Sequence, residues 1–207
     1  MNLQDIIRRV QRLYGDSAEA QIYVTDIIDW VNDGQFILNR DLELLIAKGN
    51  LDVDDTTATA GWALPADYVK SVLVQFKSVT MTYTPYNEVK GFSGVIPASD
   101  PSWYYIWSNY LKMYPTPVSR GTGLVYHEYV KHPTILKSST DIPELPGSFH
   151  LDLVRYCLMR AKELNEDEQA VNRVNSDWVA AVAESKFNSN PRENSYPVVR
   201  DYAGDLW

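Results

Sequence analysis

Three histidines, one cysteine and 27 carboxylates are the groups from which this 207-residue chain could build a reactive site, and few stand at spacings that chemistry uses. His127-Glu-Tyr-Val-Lys-His132 approaches the signature of a zinc protease, which needs two histidines four residues apart on one helical face. Here they are five apart, and in a strand that spacing points them to opposite faces, so no shared metal is expected. Asp52-Val-Asp54-Asp55 begins like a calcium loop, but Thr57 stands where the sharp turn needs Gly and Ala63 where a bidentate Glu is required. These acids read as solvated groups beside a strand. Gly121-Thr-Gly123 lacks a following Lys-Ser or Lys-Thr and precedes a strand, so it reads as a turn and not a phosphate cradle. No serine occupies a Gly-x-Ser-x-Gly elbow.

Glu163, Glu166, Asp167 and Glu168 could be imagined as a pair for glycoside cleavage, but two such carboxylates must flank a cleft. Their clustering at a helix junction favours a solvated, cap-forming role. Arg8 and Arg12 share a helical face that could touch phosphate, although an exposed face balancing nearby acids accounts for them as well. Cys157, among Val154, Tyr156, Leu158 and Ala161, reads as a buried thiol acting as a small hydrophobe. As the only cysteine it excludes an intramolecular disulfide and any cysteine cluster for zinc. The chain is therefore expected not to be an enzyme, with no metal and no cofactor.

The elements carrying these residues change character twice along the chain. Leu3, Ile6, Ile7, Val10, Leu13 and Tyr14 form one apolar helical face ended by Gly15. A second helix is predicted from near Thr25 through Ile28, Val31, Leu38, Leu42 and Leu45 to Gly49, with Gly34 inside it marking a bend or a close approach. From Leu51 the helical period gives way to strands at 51–57, 70–76, 79–84, 104–107, 112–114 and 124–129. A short helix at 87–92 and a loop at 94–101, long enough to touch a neighbour, lie between them. Helices return after Asp141-Ile-Pro-Glu-Leu-Pro146, with Ser148 as a cap and an apolar stripe of Leu153, Val154, Cys157, Leu158, Ala161 and Leu164. A last helix opens at Asn165 with Glu168 as its capping-box partner, turning Val171, Val174, Trp178, Ala181 and Val182 inward. The fold class expected is mainly α with a β-rich insertion (α+β): a four-helix bundle core from the N- and C-terminal helices, a short-stranded β insertion and an extended C-terminal tail. The expected boundaries are 1–50 and 147–189 for the bundle, 51–146 for the insertion and 190–207 for the tail.

Composition constrains partners. A hydrophobic fraction of 45% with 22% charged residues describes a folded chain. The net charge of -8 is spread along the chain without a basic arm, which argues against gripping DNA phosphates but not against a passage through which DNA slides. The first segment already carries Arg8, Arg9 and Arg12, so no signal peptide or membrane span is expected and the protein is expected to stay where it is made. The 14 Tyr and 6 Trp are the compositional outlier, a bias that suits either a filled core or protein interfaces.

The order of segments adds a further indication. Two N-terminal helices lead to Trp62-Ala-Leu-Pro-Ala-Asp-Tyr-Val-Lys70, then Asn109-Tyr-Leu-Lys-Met-Tyr-Pro-Thr-Pro117, then Gly123-Leu-Val-Tyr-His-Glu-Tyr129. Asp141-Ile-Pro-Glu-Leu-Pro-Gly-Ser-Phe-His150 and Leu153-Val-Arg-Tyr-Cys157 follow. Over roughly residues 2 to 190 this series resembles the head-to-tail adaptors of short-tailed bacteriophages, also called head-completion or tubular neck proteins. The resemblance implies a structural virion protein of the neck, made in the host cytoplasm and self-associating into a ring of about twelve copies. It implies contact with the portal protein and with the next tail component, a nozzle or tail tube, and DNA passing through without sequence-specific binding. It also implies a C-terminal extension on the portal. In this sequence the extension supplies Tyr196, Val198, Val199, Tyr202, Leu206 and Trp207 as candidate partner-binding residues. Its 18 residues could reach up to roughly 60 Å when extended, and its aromatics could anchor it in partner pockets. Other readings are a different assembly or binding module, and a cell-wall hydrolase of the virion.

Overall fold

The structure, a computed structural model, describes residues 1–15, 21–92 and 99–164, and within 172–183 residues 172, 175, 176, 178–180, 182 and 183. The chain divides into two compact units, one formed by Met1–Leu42 together with the chain from Ile135 onward, the other by Glu43–Thr134.

In the first unit, helix α1 (Leu3–Tyr14) begins at Asn2, whose side chain accepts from the Asp5 backbone N–H while the Asp5 carboxylate accepts from Asn2, a reciprocal capping box. Two further backbone donors at this end reach the carbonyls of Asp141 and Ser139, at 2.8 and 3.0 Å from Leu3 and Gln4. Gly15 stops the helix in the left-handed region, at φ 91°. Leu3, Ile6, Ile7 and Val10 are buried as the spacing requires, whereas Leu13 is exposed. Helix α2 (Val24–Leu42) and helix α5 (His150–Leu164) pack with α1. Gly34 is the point of close approach: a Cβ there would lie 3.0 Å from Tyr156 Cδ1 and 3.2 Å from Leu153 Cδ2. Asn32 ties the returning chain to α2, its carboxamide donating to the Leu136 carbonyl at 3.1 Å and accepting from the Leu136 N–H at 2.8 Å. Trp178 is buried with its ring 5.2 Å from that of Tyr156.

The second unit holds β1 (Ile46–Val53), α3 (Asp55–Ala60), β2 (Trp62–Ala63), β3 (Tyr68–Phe76), β4 (Val79–Thr80), β5 (Thr82–Tyr83), α4 (Tyr86–Gly91), β6 (Trp103–Trp107), β7 (Tyr110–Tyr114) and β8 (Gly121–Lys131). One sheet runs β1-β8-β3-β4, all antiparallel; the other runs β2-β7-β6-β5, with only β5 parallel to its neighbour. One buried cluster draws Val53, Val74, Phe76 and Val125 from the first sheet and Trp62, Tyr104, Leu111 and Met113 from the second, so the sheets face each other across a shared core. Two-residue turns close the β3–β4 and β6–β7 hairpins, with positive φ at both Lys77 and Ser78 and at both Ser108 and Asn109.

A four-helix bundle core is thus not the architecture. Two four-stranded sheets enclose a hydrophobic core of their own, and only the α+β character of the expectation is compatible with them. The misreading begins where α2 ends. Glu43 takes φ 54°, breaking the helix before Leu45, and Ile46–Gly49, read as its last turn, belongs to β1. The insertion is also not short-stranded, since β8 has 11 residues and β3 has 9. Residues 54–57 leave the predicted first strand because Asp54 caps α3, and the predicted strand 79–84 is split at buried Met81, which carries the chain from one sheet to the other. Ser148 lies in a 3-10 turn (Gly147–Phe149) ahead of α5 and does not cap it.

Candidate interaction surface

Strand β6, Trp-Tyr-Tyr-Ile-Trp, alternates like any half-buried strand, but both of its faces are apolar. Tyr104 and Ile106 turn toward the shared core, opposite Met113 and Leu111 of β7. Trp103, Tyr105 and Trp107 take the other face, opposite Tyr114, Lys112 and Tyr110. Helix α4 lies along this outer face. The Tyr86 ring stacks on Trp107 with centroids 3.8 Å apart and sits 5.7 Å from Tyr105, while Phe92 lies 5.2 Å from Tyr114 and 5.5 Å from Trp103. The Lys90 ammonium is 4.8 Å from the Tyr86 centroid and 6.0 Å from that of Trp107. Partial burial, and after it the neighbouring Tyr86, raise the Tyr105 hydroxyl above the ordinary tyrosine range, keeping it neutral. The helix covers the face incompletely: Trp107 remains 47%, Tyr110 40% and Phe92 38% exposed. An exposed aromatic surface of this kind is what protein interfaces are made from.

The outer face of the other sheet is a control within the same unit. There Lys48 pairs with Glu128 at 3.1 Å and the Tyr126 hydroxyl donates to the same carboxylate. The Tyr126 bond first, and Lys48 after it, hold Glu128 below the usual carboxylate range. Here the face carries an ion pair and a phenol, with Leu73 opposite Glu128 and, among the described residues, no stacked aromatics.

A cleft of about 390 Å³ opens among Tyr68, Lys70, Ser71, Tyr83, Tyr104 and Ile106. Behind it the Tyr68 hydroxyl meets Ser71 Oγ at 3.1 Å and Ser71 Oγ meets His127 Nε2 at 2.9 Å. Ser71 and His127 are within reach for base-assisted attack, but that chemistry also needs a group to orient the base. The adjacent carboxylate, Asp67, accepts instead from the Tyr129 hydroxyl at 3.2 Å. Burial lowers His127 to about 4, so it is neutral at pH 7. The group behaves as a satisfied polar network inside a core.

The motifs tested by spacing fall as follows. His127 is buried in β8, whereas His132 lies beyond its end, its N–H bonded to the Asp67 carbonyl at 2.6 Å. The calcium-like acids are structural rather than merely solvated: Asp52 accepts from the Gly123 N–H at 2.7 Å, Asp54 caps α3 through Thr57, and Asp55 pairs with Arg120 at 2.8 Å. Gly121 and Gly123 belong to β8 and not to a preceding turn. Cys157 is fully buried, which pushes its thiol up and keeps it protonated. Glu163 pairs with Arg160 at 2.5 Å, while Glu166, Asp167 and Glu168 lie outside the described residues. Arg8 and Arg12 are exposed and line an open depression with Met1, Asp5 and Arg9. Among the described residues, no group of three or more His, Cys, Asp or Glu is placed to hold a metal, and no helix is long and apolar enough to cross a membrane.

The candidate partner-binding residues Tyr196, Val198, Val199, Tyr202, Leu206 and Trp207 lie outside the described residues, as does most of the loop at 94–101. The aromatic face itself was missed at the level of residues. Its signal was present, since Trp103, Tyr105 and Trp107 place an aromatic at every second position while the intervening Tyr104 and Ile106 are apolar too, a pattern that leaves no face for water.

No curated protein matches the chain. One family model, described as SU10 adaptor protein, matches residues 1–200 and so spans both units. With that extent of match, the chain belongs to the SU10 adaptor protein family, a family of structural adaptors of bacteriophage virions.

Proposed function

We infer that copies of this chain form a ring of about twelve subunits in the neck of the virion, between the portal and the next tail component, with DNA passing through its lumen. The observation that carries this reading is the family match across residues 1–200. The exposed aromatic face supports it, because contiguous exposed apolar patches mark interaction sites. A net charge of -8 suits a passage that repels rather than retains DNA. Residues 190–207 act as the portal-binding segment, with Tyr196, Val198, Val199, Tyr202, Leu206 and Trp207 as its anchors, since buried aromatics dominate interface energies. Many identical tails engaging one ring turn weak contacts into stable attachment.

The test is to mix the purified protein with the portal ring of the same phage and image the product by electron microscopy, alongside a variant ending at Asn190. The expected result is a ring of copies on the portal that is absent with the shortened chain. Failure of the full-length chain to bind any portal ring overturns the reading; binding by both chains removes the tail from it.

A further inference from the structure

Among the described residues, the outer face of β6 and β7 with α4 carries two charged side chains among its aromatics, Lys90 and Lys112, and both are basic. Glu88 is two residues from both Tyr86 and Lys90, which puts it on another side of α4. A surface combining aromatics with lysines is matched by one combining aromatics with carboxylates, and α2 has such a surface. Its buried side consists of Ile27, Val31, Gly34, Gln35, Leu38, Asn39 and Leu42. Asp26, Asp29 and Asp33, spaced by three and four, form a stripe on another side of the helix, where Trp30 and Ile37 are half-buried. Tyr23, just before the helix and 72% exposed, continues that stripe. Among the described residues, no ion pair takes up any of these three carboxylates, and none takes up Lys90 or Lys112.

We propose that the Trp107, Tyr110 and Phe92 face of one copy, with Lys90 and Lys112, docks on the Asp26, Asp29 and Asp33 stripe of α2 in a second copy. The inference rests on the ring reading above and names the contact that builds the ring. Two different patches are used, so each copy joined through one keeps the other free, which is the head-to-tail arrangement that closes into rings. The charge of the whole chain, -8, makes copies repel, and the contact brings one of its few basic surfaces against an unpaired acidic one. The aromatics supply contact area, and the charges set which face meets which.

The experiment uses the full chain and charge reversal on either side. One variant carries Lys90→Glu with Lys112→Glu, a second carries Asp29→Lys with Asp33→Lys, and circular dichroism and thermal melting confirm that each is folded. Assembly is read as the number of copies loaded on the portal ring and as self-association by light scattering. Each variant alone is expected to assemble at least about tenfold more weakly than the parent, because like charges then face each other. An equimolar mixture of the two variants is expected to restore pairing through the reversed patches. Unchanged assembly by either folded variant overturns the contact, as does loss without restoration in the mixture. Loss of binding to another tail component with self-association intact assigns the face to a different partner and overturns it too. If the parent chain neither self-associates nor loads on the portal, the ring reading itself fails, and the two failures are thereby told apart.

Discussion

His127 makes the fold sensitive to acid. It sits at 3% exposure in β8 with its Nε2 at 2.9 Å from Ser71 Oγ, and burial holds it at about 4 against an ordinary value of 6.5. Its folded-state value is depressed, so the unfolded chain binds the proton more readily between those two values. Stability from this residue is therefore complete above about pH 6.5 and is lost as pH falls toward 4. The full shift corresponds to at most about 3 kcal/mol, and roughly 2 kcal/mol is already lost at pH 5. Urea unfolding at pH 7.5 and pH 5 should show that loss in the parent chain, and His127→Gln should flatten the dependence across this interval. The carboxylates held low by hydrogen bonds, Asp54, Asp141 and Glu128, add an acid loss of the same sign that begins near their unfolded values, at the lower end of this window, so the part that disappears in the variant is the part His127 carries. An unchanged slope in the variant would assign the loss to other groups.

At the scale of elements, Gly34 decides how closely α2 and α5 pack. Alanine there needs Tyr156 and Leu153 to give by a few tenths of an ångström, since its Cβ would stand at 3.0 and 3.2 Å from them. Gly34→Leu cannot be absorbed so cheaply and is expected to lower stability by about 1–3 kcal/mol, measured by chemical denaturation, with Gly34→Ala between it and the parent. The sequence raised this glycine as a bend or a close approach, because a glycine inside a helix is costly without a packing reason. Other features were less legible for identifiable reasons. Leu42 and Leu45 keep helical spacing, so nothing local signals that a non-glycine residue, Glu43, turns left-handed between them. The two tight hairpins use Lys77-Ser78 and Ser108-Asn109 in place of the Asn-Gly or Asp-Gly pairs that announce such turns. The strands beside them were still found, since β-branched and aromatic residues mark β3, β6 and β8 wherever the turns fall. The aromatic face was half legible: composition singled out Tyr and Trp as suited either to a filled core or to interfaces, but only the register of Tyr105 against Lys112 reveals which rings share a side.

At the scale of the molecule, the second unit is inserted through neighbouring points of one sheet. Its first and last strands, β1 and β8, are antiparallel partners with Ile46 opposite Val130, and the Lys131 N–H reaches the Leu45 carbonyl at 3.0 Å. The chain therefore enters and leaves where its own backbone hydrogen bonds already hold the two ends together, a geometry that lets a domain be inserted or excised with little strain. Its core is complete without helices from elsewhere, because Val53, Val74, Phe76, Val125, Trp62, Tyr104, Leu111 and Met113 all come from its own two sheets. Residues 43–134 expressed alone should accordingly fold and unfold in one cooperative transition, followed by tryptophan fluorescence and by circular dichroism. The isolated unit should keep the acid sensitivity of His127, since Ser71, Tyr68 and Tyr129 travel with it. It should also lose self-association, because the α2 aspartates that its aromatic face is inferred to meet are left behind. A fragment that folds yet still associates as the full chain does would show that copies meet through this unit alone. A fragment that does not fold would show that the core between its sheets depends on the rest of the chain.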